Sequence, residues 1–426
     1  MPLPPEFDLA GVGFGPSNLA LAIAVAEHNA TAAEPLTAHF LERQRSFGWH
    51  RGMLLEDATM QVSFLKDLAT MRNPVSGFGF LPYLHERGRL VDFINHKTFF
   101  PLRTEFHDYL EWAAAKVDDQ VSYHREVVSV RESDGCFEVR TSDGDVCRAR
   151  NLVLGTGLRP NLPDGAVPSD RAWHNTELLH RVDTVGKPDR CVVVGAGQSA
   201  AETTAFLHDR FPEAEICSVF ARYGYRPSDD SAFANRIFDP SGVDAFYSAP
   251  EDVKQRLMNY HGNTNYSAVD IDLIDDLYRR RYRENVQGRE RLRIFPASRL
   301  ADVVEDEAVR VTVESLTTGE KTVLEADLLV YATGYRPADP SSLLGDLDGR
   351  CRRDEHGRLR VERDYRLVAP DLPGAIYLQG GTEHTHGITS SLLSNTAVRA
   401  GEILASVLGR LDAADWSSEC AVRESA

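Results

Sequence analysis

Along the chain, short apolar runs end at glycine turns and pass into longer stretches of helical spacing. The first such unit reads Asp8-Leu9-Ala10-Gly11-Val12-Gly13-Phe14-Gly15-Pro16-Ser17-Asn18 and continues through the apolar segment from Leu19 to Val25. A strand that enters a glycine turn and leaves it as a helix is the pattern of a dinucleotide-binding βα unit. The next apolar run, Phe40-Leu41-Glu42, predicts a second strand ending on an acid. A second unit starts at Arg190-Cys191-Val192-Val193-Val194-Gly195-Ala196-Gly197-Gln198-Ser199 and is followed by a strand over Ile216–Phe220. Between the two units, Phe106, Tyr109, Leu110 and Ala113 recur at helical spacing, and Val121–Val130, Phe137–Arg140 and Val146–Leu154 read as strands separated by Asp-Gly turns. Helices are expected over 251–257, 271–282 and 389–408, and strands over 291–295, 309–314, 322–330 and 375–378.

This order predicts an α/β fold with two Rossmann-like dinucleotide-binding domains and a smaller, largely helical substrate-binding region. Residues 1–165 form the first part of an FAD-binding domain, and 166–234 the first part of an NADPH-binding domain. The substrate-binding region spans 235–290, and 291–325 supply return strands of the NADPH-binding domain. Residues 326–426 complete the FAD-binding domain and add a C-terminal helix.

The chemistry of the two turns follows from their residue types. Gly11 permits the tight turn, Gly13 lets backbone N–H groups approach a pyrophosphate, and Gly15 lets helix and strand pack closely. Pro16 suits the first helical position, and the helix N-terminus favours an anion. Glu42 is placed to hold a ribose diol. In the second turn Gly195, Gly197, Gln198 and Ser199 are the corresponding candidates. Arg222, just past the following strand, suits an adenosine 2′-phosphate and so points to NADPH rather than NADH.

Bulk composition narrows the function. The 426 residues suggest two or three domains, and 42% hydrophobic with 26% charged residues suits a globular protein. With 47 basic and 64 acidic side chains the formal charge is −17, which argues against nucleic acid and anionic membrane as partners. The six cysteines lie singly, with no CxxC pair for metal or thiol redox chemistry, so no metal is expected and the thiols read as small buried hydrophobes in a reducing cytoplasm. Without a thiol relay, hydride delivered to a flavin has molecular oxygen as its natural acceptor.

The motifs GVGFGPSNLALA, SFGWHRGM, MQVSFLKDLATMRNP, VVVGAGQSAAE, RPSDDSAFAN, NTNYSAVD, ATGYRP and THGITSSLLSNTAVRAGEI, in that order, resemble the bacterial and fungal L-ornithine N5-monooxygenases and the related L-lysine N6-monooxygenases of siderophore biosynthesis. The resemblance implies FAD reduced by NADPH, reaction with oxygen, and a C4a-hydroperoxyflavin that hydroxylates the side-chain amine of L-ornithine. Lysine is the alternative substrate; a diamine, a ketone or a sulfide is a more distant one. By the same resemblance Lys66 pairs with the amino-acid carboxylate, Asn235 and Asn265 are polar substrate contacts, and Ser390 offers a hydroxyl near the amine. Trp49, His50, Met60 and Gln61 wall the flavin, Ile388 approaches it through its backbone, and Asn18 is a cofactor-binding residue of the first turn. A homo-oligomer, by family resemblance a tetramer, is a further expectation.

Overall fold

The computed structural model describes residues 6–424. Its first sheet runs in the order Val121–Ser122, Ala38–Leu41, Glu6–Val12, Val146–Leu154, Cys136–Thr141, Val127–Ser133. The strand Glu6–Val12 pairs in parallel with both neighbours. On its other edge Val146–Leu154 serves two partners: its first half pairs antiparallel with Cys136–Thr141, and its last three residues pair in parallel with Ile376–Leu378. The helix Pro16–Asn29 is buried from Asn18 through Val25 and packs against the C-terminal helix Thr396–Glu424. A helix apolar on nearly every side belongs inside a fold, and this one is sandwiched accordingly.

The second sheet is wholly parallel, in the order Leu292–Phe295, Glu215–Val219, Arg190–Val194, Leu328–Tyr331, Ala172–His174. Helix Gln198–Arg210 lies on one face. A three-stranded antiparallel sheet, Ser298–Glu305, Val309–Ser315 and Lys321–Ala326, covers the other with Val309, Val311, Val313 and Leu324. Burial on both faces explains the unbroken β-branched run Val192–Val194.

Several expectations change here. The run over 322–330 is two strands: Lys321–Ala326 joins the antiparallel layer and Leu328–Tyr331 joins the parallel sheet. Asp327 makes the switch, its carboxylate accepting from the N–H groups of Asp189 (2.7 Å) and Arg190 (3.1 Å). Because Leu328–Tyr331 pairs with Arg190–Val194, it belongs to the second nucleotide domain, and the expected division at 326 falls too early. The region 235–290 gains a helix, Pro240–Ser248, and its other helices are longer than expected, at Glu251–His261 and Ile271–Gln287. The two nucleotide domains are joined by an antiparallel pair, Leu158–Pro160 with Tyr335–Pro337.

The cysteines fit the expectation in part. Cys136, Cys147, Cys191, Cys217 and Cys351 are buried and unpaired, and burial pushes the Cys191 and Cys217 thiols up to about 12. No helix among the described residues is long and apolar enough to cross a membrane.

Candidate functional site

The first glycine turn is built to leave backbone donors open. Gly13 has φ of +83°, and a Cβ there would stand 2.5 Å from the Gly155 carbonyl oxygen. Only glycine fits both constraints. Gly11 faces the Phe40 ring so closely that a Cβ would overlap it. Gly15 caps helix Pro16–Asn29 without any side-chain hydrogen bond, and a Cβ on it would meet nothing within 4 Å. An uncapped helix N-terminus beneath open space is the cradle a pyrophosphate needs, so these residues fit FAD. Glu42 sits just beyond strand Ala38–Leu41, where its carboxylate accepts from the N–H groups of Phe14 (2.6 Å) and Gln44 (2.8 Å). Each of its oxygens retains acceptor capacity, so a ribose diol fits there as well.

Asn18 departs from the expected role. It is 1% exposed, and its amide donates to the carbonyls of Gly13 (2.7 Å) and Val12 (3.3 Å) while its oxygen accepts from Gln379 (3.2 Å). Arg399, also buried, donates to Gln379 Oε1 (3.1 Å), to Ser390 O (2.7 Å) and to Ser17 Oγ (3.1 Å). Asn18 thus positions the turn from behind and does not face a ligand. Arg399, inside the last of the quoted motifs, and Gln379, outside all of them, tie that turn to the segment 388–391.

The second turn fits a dinucleotide in a similar way. Gly195 has φ of +143° and lies against the Ala332 carbonyl, and Gly197 caps helix Gln198–Arg210 with no side-chain bond. Here the insert approaches from above: a Cβ on Gly197 would come within 3.5 Å of Ser267 Cα. Two expected cofactor contacts fasten this loop. Gln198 Oε1 accepts from Asp270 N–H (2.8 Å) and its Nε2 donates to Glu202 (3.0 Å), so its amide is engaged inside the protein. Arg222 donates through Nη1 to Ser267 O (3.1 Å), which leaves its other nitrogens at the strand end where a 2′-phosphate is expected. For Ser199 the backbone carbonyl accepts from Thr203 Oγ1 (2.7 Å), an ordinary contact of the helix's first turn.

Between the two turns lies the wall expected for a flat ring. Arg51–Met53 is its one short helical turn; the rest of 46–73 is irregular. His50 has φ of +49° and stands edge-on to Trp49 (4.9 Å) and Tyr335 (5.6 Å). The residue as a whole is exposed, yet the Trp49 and Tyr335 rings and the protein around them crowd its imidazole. That crowding, with the Arg103 guanidinium, pulls its pKa down to about 4 and keeps the imidazole neutral near pH 7. Met60 is buried and fixed through its N–H to Pro101 O (2.8 Å), whereas Gln61 is exposed with only a 3.5 Å contact to Thr59. Arg103 makes a bidentate bridge to Glu202 (2.7 and 2.9 Å) across the domain boundary, at 13% and 6% side-chain exposure. It also donates to the carbonyls of Met53 (3.1 Å) and Thr59 (3.4 Å).

The expected substrate residues gather from four separate segments. Lys66 holds its ammonium 5.7 Å above the Phe238 ring, and its pKa is lowered by burial against a weaker opposing pull from Asp239. It has no hydrogen-bond or ion-pair partner among the described residues. Phe238 ends the turn Ala234–Phe238, which carries Asn235 and packs against Ile388–Ser391. Asn235 donates from Nδ2 to Asp230 O (2.7 Å), leaving Oδ1 as an acceptor. Asn265 is half-buried in the turn whose next residue, Tyr266, bonds Glu383 at the start of helix Glu383–His386. Ile388 is buried directly after Gly387. Ser390 is the exception. At 1% exposure its oxygen accepts from Thr382 N–H (2.9 Å), so the hydroxyl expected to face substrate locks the turn instead.

Comparison with known proteins agrees with this geometry. The L-ornithine N(5)-monooxygenase of Burkholderia cepacia is 41% identical over 401 residues, covering 89% of this chain and 90% of its own. Among solved structures, the ornithine N-hydroxylase of Kutzneria sp. 744, with reduced FAD, NADP+ and L-ornithine, superposes with a TM-score of 0.91 at 47% identity, covering 95% of this chain and all of the other. The L-lysine 6-monooxygenase of Pseudomonas syringae reaches 0.82 at 32% identity, over 94% of this chain and 99% of that one. Residues 5–337 match the family described as L-lysine 6-monooxygenase/L-ornithine 5-monooxygenase. Matched over most of its length by the family and over nearly all of it by relatives of this identity, the chain belongs to that family.

Proposed function

We propose that this enzyme hydroxylates the side-chain amine of L-ornithine with FAD, NADPH and oxygen, giving N5-hydroxy-L-ornithine. The observation that carries the reading is the half-buried Lys66 ammonium, over the Phe238 ring but with no hydrogen-bond or ion-pair partner among the described residues, beside the turn that holds Asn235. A lysine kept from water and left unpaired is a waiting site for an anion such as a carboxylate. Asn235 Oδ1 and the Asn265 amide orient the α-amino and carboxylate groups. The far end of the substrate then reaches toward the wall of His50, Met60 and Gln61.

Bound FAD, reduced by NADPH, supplies activated oxygen, of which one atom enters the amine and the other leaves as water. The chain's own residues position the partners. The glycine turns hold the two dinucleotides, the Arg103–Glu202 bridge fixes one domain against the other, and Lys66 sets how far the amine extends. The amine must be neutral to react. Its free pKa is about 10.4, and a site that removes it from water favours the uncharged form. His50, neutral near pH 7, adds no positive charge there beyond that of Arg103.

Ornithine is favoured over lysine by the higher identity and closer superposition of the ornithine hydroxylase. One methylene is worth roughly 1–3 kcal/mol to a pocket, so a lysine side activity from below about 1% up to about a fifth of that on ornithine is expected. The test is to incubate the holoenzyme with NADPH, oxygen and ornithine, lysine or putrescine, and to detect hydroxylamine by mass. Ornithine heavier by one oxygen supports the reading. NADPH consumed with only hydrogen peroxide formed from all three overturns the substrate assignment.

A further inference from the structure

The fold buries the Arg399 guanidinium to 2% exposure without setting an acid against it. Four neutral oxygens take its N–H groups: Gln379 Oε1 (3.1 Å), Ser390 O (2.7 Å), Ser17 Oγ (3.1 Å) and Thr396 Oγ1 (3.4 Å). It enters no ion pair among the described residues. Glu402, three residues further along the same helix, gives both oxygens to Arg363 (2.8 and 3.0 Å). Burial lowers the Arg399 pKa, yet a guanidinium starts so high that it keeps its proton. A cation taken out of water is costly unless an anion meets it.

The four acceptors say which anion. Ser17 stands in the first turn of helix Pro16–Asn29, whose open N-terminus fits the FAD pyrophosphate. Gln379 follows strand Ile376–Leu378, at the carboxyl end where such sheets take their ligands. Ser390 belongs to the turn Ile388–Ser391, the segment expected to meet the flavin through its backbone. The guanidinium therefore lies beneath the surface of the FAD site and links its phosphate end to its ring end. Its charge reaches beyond its hydrogen bonds: the low pKa of His386 comes chiefly from burial, with the charges of Arg363 and Arg399 adding to it. Away from water such a field is screened little.

We propose that Arg399 makes bound FAD easier to reduce, by favouring the reduced over the oxidised cofactor about tenfold. The electrons account for the sign. NADPH delivers hydride, two electrons with one proton, so the flavin ring gains one unit of negative charge as the nicotinamide gives it up. A fixed positive charge nearby stabilises the reduced ring and leaves the neutral, oxidised ring almost unaffected. The phosphates carry the same charge in both states, so their attraction to Arg399 cancels. The role rests on FAD in the first turn and is independent of which amine is hydroxylated.

The test is the midpoint potential of the FAD-loaded protein, read against a reference dye with ornithine and oxygen absent. Arg399→Gln keeps an amide among the same acceptors and drops the charge. It should lower the potential by about 30 mV, the two-electron equivalent of tenfold. Arg399→Lys keeps the charge but makes fewer of the bonds, and should recover more than half of that shift. An arginine that only held the turns together would give the reverse order. Thr396→Asp neutralises the charge in place, at a helix start where an acid is favoured, and should lower the potential as Arg399→Gln does. It carries the test if the glutamine variant loses its FAD. A shift below about threefold when the charge is removed or neutralised, or a lysine variant displaced as far as the glutamine one, overturns the proposal.

Discussion

Removing the carboxylate of Glu202 is expected to cost more than any other single change at the domain boundary. Its two oxygens take both terminal nitrogens of Arg103 at 2.7 and 2.9 Å, and the two side chains are 6% and 13% exposed. In Glu202→Ala the guanidinium stays charged, buried and without a counter-ion. Breaking such a pair from one side costs about 3–5 kcal/mol. Arg103 keeps its bonds to the Met53 and Thr59 carbonyls, so the lower end, about 3 kcal/mol, applies. Replacing both partners by apolar residues, Arg103→Met with Glu202→Leu, removes the charges together and should recover most of the loss. The assay is urea denaturation followed by tryptophan fluorescence at fixed FAD, run as a double-mutant cycle. A coupling of about 2 kcal/mol or more is expected. A loss below about 1 kcal/mol for Glu202→Ala, or a double variant as unstable as the sum of its singles, would refute the reasoning.

Other consequences are equally direct. Lys66→Ala should raise the Kd for ornithine by ten- to a hundredfold, the equivalent of about 1.5–3 kcal/mol for a lost charge-assisted bond, with little change in FAD content; titration calorimetry on the holoenzyme decides it. Gly13→Ala, left-handed and against the Gly155 carbonyl, should destabilise the fold by about 2 kcal/mol or more. Gly15→Ala should leave folding nearly unchanged but weaken FAD binding at least tenfold, because its methyl enters the space above the turn; equal effects of the two changes on stability would contradict that geometry. His386 is 1% exposed, and burial pulls its pKa down to about 4. The unfolded chain takes up this proton below about pH 6.5 while the folded one resists it to about 4. Its contribution to stability is therefore full above pH 6.5 and falls by up to about 3 kcal/mol as pH drops through that window. His386→Phe should flatten the acid side of the stability curve, measured by urea midpoints between pH 4 and 7.

Much of the site was legible because a glycine turn between a strand and a helix is a local pattern. Gly13 and Gly195 are at positive φ, and Gly15 and Gly197 cap their helices. The segments bearing Lys66, Asn235, Asn265 and Ile388 also came from contiguous motifs. What escaped was the direction in which polar side chains point. Asn18, Gln198 and Ser390 have the right position for a ligand, yet each amide or hydroxyl bonds its own protein, and no spacing rule distinguishes those uses. The Arg103–Glu202 bridge joins residues 99 apart and has no local signal. The strand division at Asp327 escaped because the two strands follow each other without a turn: the half-buried, alternating Lys321–Ala326 runs straight into the wholly buried Leu328–Tyr331, with Asp327 alone between them.

The antiparallel pair Leu158–Pro160 with Tyr335–Pro337 gives the second nucleotide domain a particular kind of attachment. The chain leaves the first sheet after Leu154 and returns to it at Ile376; everything between the two ribbon strands builds the second domain and its insert. That block is therefore continuous, and its entrance and exit run side by side, about 5 Å apart as in any paired strands. Through the chain itself the module is tethered at one place, and the Arg103–Glu202 bridge and the Tyr266–Glu383 bond then hold it against the first domain without burdening the sheet that carries it. It is also a module that can be replaced by another nucleotide domain with adjacent ends, the host strands on either side continuing in register.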